Sequence, residues 1–292
     1  MNKKIRQGLN NCSKKIGYFF INVSSCVVSI VRMIVLSRIN IAFKTKGYSK
    51  LRQNNTCVVL ANGPSLKNAL ENGIEILKQS DVFCVNFFFK SPFFWEIKPR
   101  FYFIIDGDLF NPTNELVKAQ VIEMKSAFKR IDWDMFLVIS SSAINGGVLS
   151  DLVNSKIHLL RMNTTTVEGF MSFRNLMYDF YMGMPKCQTV TNFALMAAVI
   201  MGYKTIYLYG ADHSWTKDLK VDDDNIVYYG DRHVYNTDLS AIKLDYTIGT
   251  LLHNYGNMFD THWIINVYSQ HKNAIIINNT KGSFIDAYKR KI

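Results

Sequence analysis

Thr56-Cys57-Val58-Val59-Leu60-Ala61-Asn62-Gly63-Pro64-Ser65-Leu66 is the stretch that decides the fold. A short apolar run bounded by turn residues reads as a buried strand. Asn62-Gly63-Pro64 breaks it. Leu66, Leu70, Ile74 and Leu77 then recur on one helical face, with Ser65 as the expected N-cap. Further strands are expected at 81–85, 101–105, 135–139, 157–160, 205–209 and 274–277, and helices at 114–129, 170–182 and 193–201. Two later helices are read over about 238–254 and 258–271, and a closing helix from about Ser283. The polar segment 213–237 reads as a long loop, and a loop of that length in a compact domain usually works as a lid. Strands that alternate with helices imply an α/β fold: a Rossmann-like, doubly wound, mostly parallel sheet with a lid-like insertion.

Charge divides the chain into two parts. Its 292 residues hold 34 Lys+Arg and 23 Asp+Glu, a net charge of +11. Residues 1–52 carry eleven basic residues and no acidic one, so 53–292 is neutral overall. Within the basic arm, 16–31 is uncharged, shorter than the roughly 20 apolar residues of a bilayer span. Arg32 follows it, where a secretory signal would have a small-residue cleavage site. We read 1–52 as a basic amphipathic helix on an anionic membrane surface, with a true span or a helix packed on the body as the other readings. Residues 53–292 form the expected catalytic domain. Such density of Ile, Val and Phe argues against nucleic acid as the partner of the arm. At 48% hydrophobic and 13% aromatic the chain is not disordered. Five cysteines without a CxxC pair give no metal staple or disulfide framework, and fit a reducing compartment.

Open α/β sheets bind ligands at the carboxyl ends of their strands. Those ends carry Asn62-Gly63-Pro64-Ser65, Asn86, Asp106 and Gly210-Ala211-Asp212. Gly63 would let a ligand approach the backbone closely, Pro64 stiffens the turn, and the N–H groups at the helix start favour a phosphate. Asn86, Asp106 and Asp212 are placed to read a base or ribose. The plainer alternative for each is a turn or a cap. Neither GxGxxG nor GxxxxGK[ST] occurs. His213 and His233 bracket the polar segment and are the reactive histidines; the other four read as structural or exposed. Their spacing to Asp212 or to Asp222-Asp223-Asp224 matches no standard metal pattern, so no metal is expected.

The Asn62-Gly63-Pro64-Ser65-Leu66 loop resembles the nucleotide loop of bacterial lipooligosaccharide sialyltransferases. Three further patches are similar to that family in the same order: 81–86 ending at Asn86, 202–212 ending at Asp212, and His233-Val234-Tyr235-Asn236-Thr237-Asp238. The resemblance implies a sialyltransferase-like GT-A variant. It would transfer an acidic, sialic-acid-like sugar from a CMP-sugar donor with inversion, without metal or cofactor. His233 would be the general base. Asn62, Gly63, Pro64, Ser65, Asn86, Asp106, Thr189, Thr191, Gly210 and Asp212 would bind the nucleotide. The family's lid tyrosines have no counterpart at Ser214, so Lys217, Lys220, Tyr228 and Tyr229 are the candidates for the leaving phosphate. Asp106 stands where the family has an Asn. The implied acceptor is a surface glycan of the lipopolysaccharide type, with lipid linkage one option and a homo-oligomer left open. The implied location is peripheral, on the cytoplasmic face of the inner membrane. The same strand–Asn-Gly-Pro-Ser–helix pattern also resembles a wider MptE-like group that includes a pterin diphosphokinase and accessory factors for flagellin glycosylation. Diphosphoryl transfer and a non-catalytic accessory role are therefore the alternative functions.

Overall fold

The computed structural model describes residues 3–36, 39–234 and 236–291, with the backbone alone at 3–13, 231–233 and 236–241. Two helices lead in: α1 (Lys3–Leu36) and α2 (Ile39–Gly47). The α/β body follows as β1 (Thr56–Leu60), α3 (Ser65–Glu71), β2 (Asp81–Val85), α4 (Phe93–Ile97), β3 (Phe101–Ile104), α5 (Glu115–Lys129), β4 (Met135–Ser140), β5 (Ile157–Met162), α6 (Met171–Asp179), α7 (Val190–Ile200) and β6 (Thr205–Tyr209). Then come β7 (Lys220–Val221), β8 (Val227–His233), β9 (Asn236–Leu244), α8 (Ile248–His271) and β10 (Ile275–Asn278).

Seven strands form one parallel sheet in the order β10-β6-β1-β2-β3-β4-β5. The chain steps outward from β1 to β5, then returns to the other side of β1 with β6. That reversal makes the β1/β6 seam the topological switch point, where open sheets hold their ligands.

Helices cover both faces of the sheet, so its inner strands are apolar throughout rather than alternating. Alternation survives as a choice of layer. Cys57, Val59, Phe83 and Phe103 pack with α7, whereas Val58, Leu60, Cys84 and Tyr102 pack with Met124 and Phe128 of α5. Every residue of α7 is buried, as expected for a helix apolar on all sides. Fully burying one such side chain contributes about 1.5–3 kcal/mol. At the amino edge, buried Asp81 takes N–H bonds from Gln53 (2.9 Å) and Asn54 (3.4 Å) and the Tyr203 hydroxyl, which tie the approach segment to the sheet.

Four sequence expectations need correction. The helix read through Leu66, Leu70, Ile74 and Leu77 ends at Glu71; Gly73 at φ +78° breaks it, and Leu77 falls in a separate 3₁₀ turn, Glu75–Gln79. Segment 213–237 is not a loop: it holds most of a three-stranded antiparallel sheet, β7-β8-β9, that extends to Leu244. The helix expected from about 238 is strand β9, and α8 starts at Ile248 and runs unbroken to His271. Leu239 and Ile242 are spaced as on a helix, but the chain there pairs with β8 in the register Tyr229↔Ile242 and Val227↔Leu244. Tertiary pairing overrides a weak helical pattern. Lastly, the described chain after Ser283 forms no helix. Ser283, Ile285 and Ala287 are buried while Phe284 and Asp286 are exposed, a period of two, and Asn278 N donates to Lys289 O at 2.8 Å.

Candidate functional site

Past the ends of β1 and β6 their two loops remain paired. Ala61 N donates to Tyr209 O at 2.9 Å and Gly63 N to Gly210 O at 2.8 Å. This closeness explains both glycines. A Cβ on Gly63 would lie 2.0 Å from Asp212 Oδ2 and 2.4 Å from Gly210 O. Gly210 has φ +70°, and its Cβ would lie 2.5 Å from Ala61 O. Gly63 thus packs closely against the neighbouring loop.

Ser65 and Asp212 clamp the same seam. Ser65 Oγ donates to Asp212 Oδ2 at 2.8 Å, and Ser65 N lies 3.4 Å from the same oxygen. Ser65 is therefore not the N-cap; Pro64 holds that position without a side-chain bond. Burial raises the Asp212 carboxyl pKa, opposed by the Ser65 bonds and the Lys217 charge.

A cavity of about 740 Å³ opens at this seam. Asn62, Gly63, Pro64, Asn86, Asp106, Thr189, Thr191, Gly210, Asp212 and Lys217 line it, and Ser65 lies behind through Asp212. Tyr228 and Tyr229 are not among the lining residues. Asn62 Nδ2 donates to Val85 O at 3.0 Å, but its Oδ1 is buried without a partner. Asn86, held at φ +42°, leaves its Oδ1 equally orphaned. Unpaired buried acceptors are costly and need a reason, and a ligand donor supplies one. Asp106 is exposed and accepts from Asp108 N at 3.1 Å, so it also caps a short 3₁₀ turn.

The first turn of α7 forms another wall. Thr189 caps it, accepting from Asn192 N at 3.2 Å, and Thr189, Val190 and Thr191 line the cavity. Free N–H groups and the helix dipole favour an anion there. Lys217 is the cation among the described lining residues, with Nζ 5.0 Å over the Phe284 ring.

His213 is buried at φ +50°, and burial pushes its pKa down to about 3. It is neutral near pH 7 and, with so low a pKa, a poor proton acceptor there. The reactive role expected for it gives way to that of a neutral hydrogen-bonding group, since its Nε2 lacks a partner. Its ring stacks on Trp215 (4.8 Å, 26°), which stacks on Tyr255 (5.7 Å, 23°). Trp215 also lines the cavity and escaped the sequence reading; a Trp three residues beyond a strand-end Asp was the available signal. Among the other histidines, His158 pairs with Asp134 (3.0 Å), His271 with Asp179 (2.8 Å), and buried His262 Nδ1 with the Tyr288 hydroxyl (2.9 Å).

The side chain of His233 lies outside the described residues. Its neighbour Val234 is buried, and Val234 N donates to Asn62 O at 2.8 Å. The β8–β9 turn is thereby fastened to the first loop of the site. No group of three or more His, Cys, Asp or Glu arranged for a metal occurs among the described residues.

A family model described as 6-hydroxymethylpterin diphosphokinase MptE-like matches residues 34–218, from the end of α1 through β6. No curated protein matches the chain in sequence. Among solved structures, the MAf glycosyltransferase from Magnetospirillum magneticum AMB-1 is similar over 87% of this chain at 12% identity, with a TM-score of 0.49. The similar region spans only 38% of that longer chain.

Proposed function

The chain belongs to the MptE-like family, and on that premise we propose that it is a nucleotide-dependent transferase, moving an acidic sugar from a CMP-sugar to a glycan hydroxyl. The observation that carries this reading is the pair of orphaned amide oxygens, Asn62 Oδ1 and Asn86 Oδ1, on residues that line a switch-point cavity. Such acceptors suit the amino group of a cytosine and the hydroxyls of a ribose. The α7 N-terminus and Lys217 suit the phosphate. The four patches similar to the sialyltransferases add the choice of sugar donor.

In this mechanism the acceptor oxygen attacks the anomeric carbon from the face opposite the phosphate. Its proton passes to His233, the new C–O bond forms as the anomeric bond to phosphate breaks, and CMP departs with the electron pair. Positive potential at α7 and Lys217 would stabilise the charge that grows on the leaving phosphate.

The second reading, diphosphoryl transfer from a nucleoside triphosphate, is favoured by the family description and by three carboxylates on the cavity wall, Asp106, Asp212 and Asp218. Ser65 engages one oxygen of Asp212 and a backbone N–H one oxygen of Asp106. A Mg²⁺ ion held through one or two of these carboxylates and the substrate phosphates would fit them, and would neutralise phosphate charge. One assay separates the two. The full chain is given a CMP-activated acidic sugar with a glycan acceptor, or ATP with a hydroxymethylpterin, each with and without chelator. Acceptor-dependent CMP release that persists in chelator, and is lost in His233→Ala while CMP still binds, is the expected result. AMP release from ATP that chelator abolishes would overturn the sugar-transfer reading in favour of the second.

A further inference from the structure

Helix α1 is built the wrong way round for a helix on a water-facing surface. Asn22, Cys26, Ser29 and Met33, spaced i, i+4, i+7 and i+11, face the body; Ser29 and Met33 are buried and the other two partly so. Three of these four are small or polar. The outward face carries Phe20, Val27, Val28, Val31, Ile34 and Val35, all exposed, with Ile34 at 78%. A soluble surface helix has the opposite pattern. A contiguous exposed apolar face of this kind marks a surface that something else covers.

Two observations identify that cover. The first is charge. Residues 1–52 carry eleven basic residues and no acidic one, and Lys14, Lys15, Lys44, Lys46 and Lys50 are exposed. A second copy of the chain would bring like charge to like charge, whereas an anionic bilayer complements both the apolar face and its basic flanks. The second is how α1 is tied down. The Phe19 ring lies 5.6 Å from that of Phe170, Ser29 Oγ accepts from Glu168 N at 2.8 Å, and Arg32 pairs with Glu168 at 2.9 Å. These ties hold about 20 Å of helix along the body. The segment Lys14–Leu36 is long and apolar enough to cross a membrane. Crossing with the ties intact would carry Glu168 into the hydrocarbon, so the helix fits the interface plane.

We propose that α1 is an in-plane membrane seat, its outward face sunk in an anionic leaflet while its inner face remains bound to the 168–170 loop. That loop leaves the carboxyl edge of the sheet, the edge where the cavity opens. Val167 N donates to Met184 O at 2.9 Å, three residues before Cys187 begins the cavity wall. The seat and the site therefore share one edge of the molecule.

The test is flotation of the full chain with phosphatidylcholine vesicles containing phosphatidylglycerol, and with phosphatidylcholine alone. Binding to the anionic vesicles, reduced by salt and released by alkaline carbonate, is expected. Val27→Asp with Ile34→Asp should weaken it by more than about tenfold, since each buried aliphatic contributes at least that factor. Both sites are exposed, so thermal unfolding of this variant should match wild type; should it misfold, Lys44→Ala with Lys46→Ala must reduce the preference for anionic vesicles. Absence of flotation, retention after carbonate, or a dimer that the double Asp variant splits with vesicle binding unchanged would each overturn the proposal.

Discussion

Gly63, Ser65 and Asp212 meet across the β1/β6 seam, a relation that position at a strand end does not disclose. The sequence marked all three as site residues because they follow strand ends. Their contacts are mainly with one another, Ser65 Oγ to Asp212 Oδ2 at 2.8 Å and a Gly63 that has room for no side chain. Position along a strand is legible in sequence; the partner across the seam is not, because residues 63 and 212 meet only through the sheet order. His213 carries a prediction at this scale. Burial lowers its pKa to about 3 from an ordinary 6.5, and buried His262 is also held well below its ordinary value. The unfolded chain takes up these protons below about pH 6.5 and the folded chain does not, so stability present above that pH is lost as pH falls toward 3. For His213 the loss is on the order of 1 kcal/mol per pH unit across that window, and His262 adds to it in the same direction. Asp212, with its pKa raised, works the other way and gains stability as pH falls. Urea midpoints should therefore drop steadily from pH 6.5 to pH 5, and the drop should be shallower in His213→Asn. A flat midpoint over that range would show that the two histidines are not buried as neutral groups.

Among the elements, α7 and the central strands were legible because they are apolar on every side, and a run of that kind is a buried strand or helix whatever surrounds it. The β7-β8-β9 sheet was not. Its strands are polar, one is two residues long, and its hydrogen bonds join residues whose sequence pattern is ambiguous. This small sheet meets the site through Val234, whose side chain is buried and whose N–H is bonded to Asn62 O. Val234→Ala should cost about 1–3 kcal/mol of local packing. Because the loss falls on one hairpin, limited proteolysis should cut within 227–244 faster while the parallel sheet resists. Unchanged cleavage there would mean that the hairpin is held elsewhere.

For the molecule as a whole, the α/β class and the parallel sheet followed from strand–helix alternation, and of the two resemblances the wider, MptE-like one is the family shown. Strand order was beyond the sequence, and with it the fact that the Asn62 and Asp212 loops adjoin. The basic arm and the neutral body are also less separate than charge suggested. Ile41, Ala42 and Tyr48 are buried, and the Tyr48 hydroxyl donates to Arg161 O at 3.0 Å. The central claim is that the switch-point cavity reads a nucleotide through two unpaired amide oxygens, Asn62 Oδ1 and Asn86 Oδ1. The most direct measurement is thermal unfolding of the full chain with CMP, CDP, UDP, GDP and ATP, for wild type and for Asn86→Gly, a change that tolerates φ +42° while removing the amide. At 100 times its dissociation constant a ligand stabilises by roughly 2.7 kcal/mol, a readily measured shift. CMP should raise the wild-type midpoint selectively and have little effect on Asn86→Gly; no shift with any nucleotide, or an equal CMP shift in the variant, would contradict the claim.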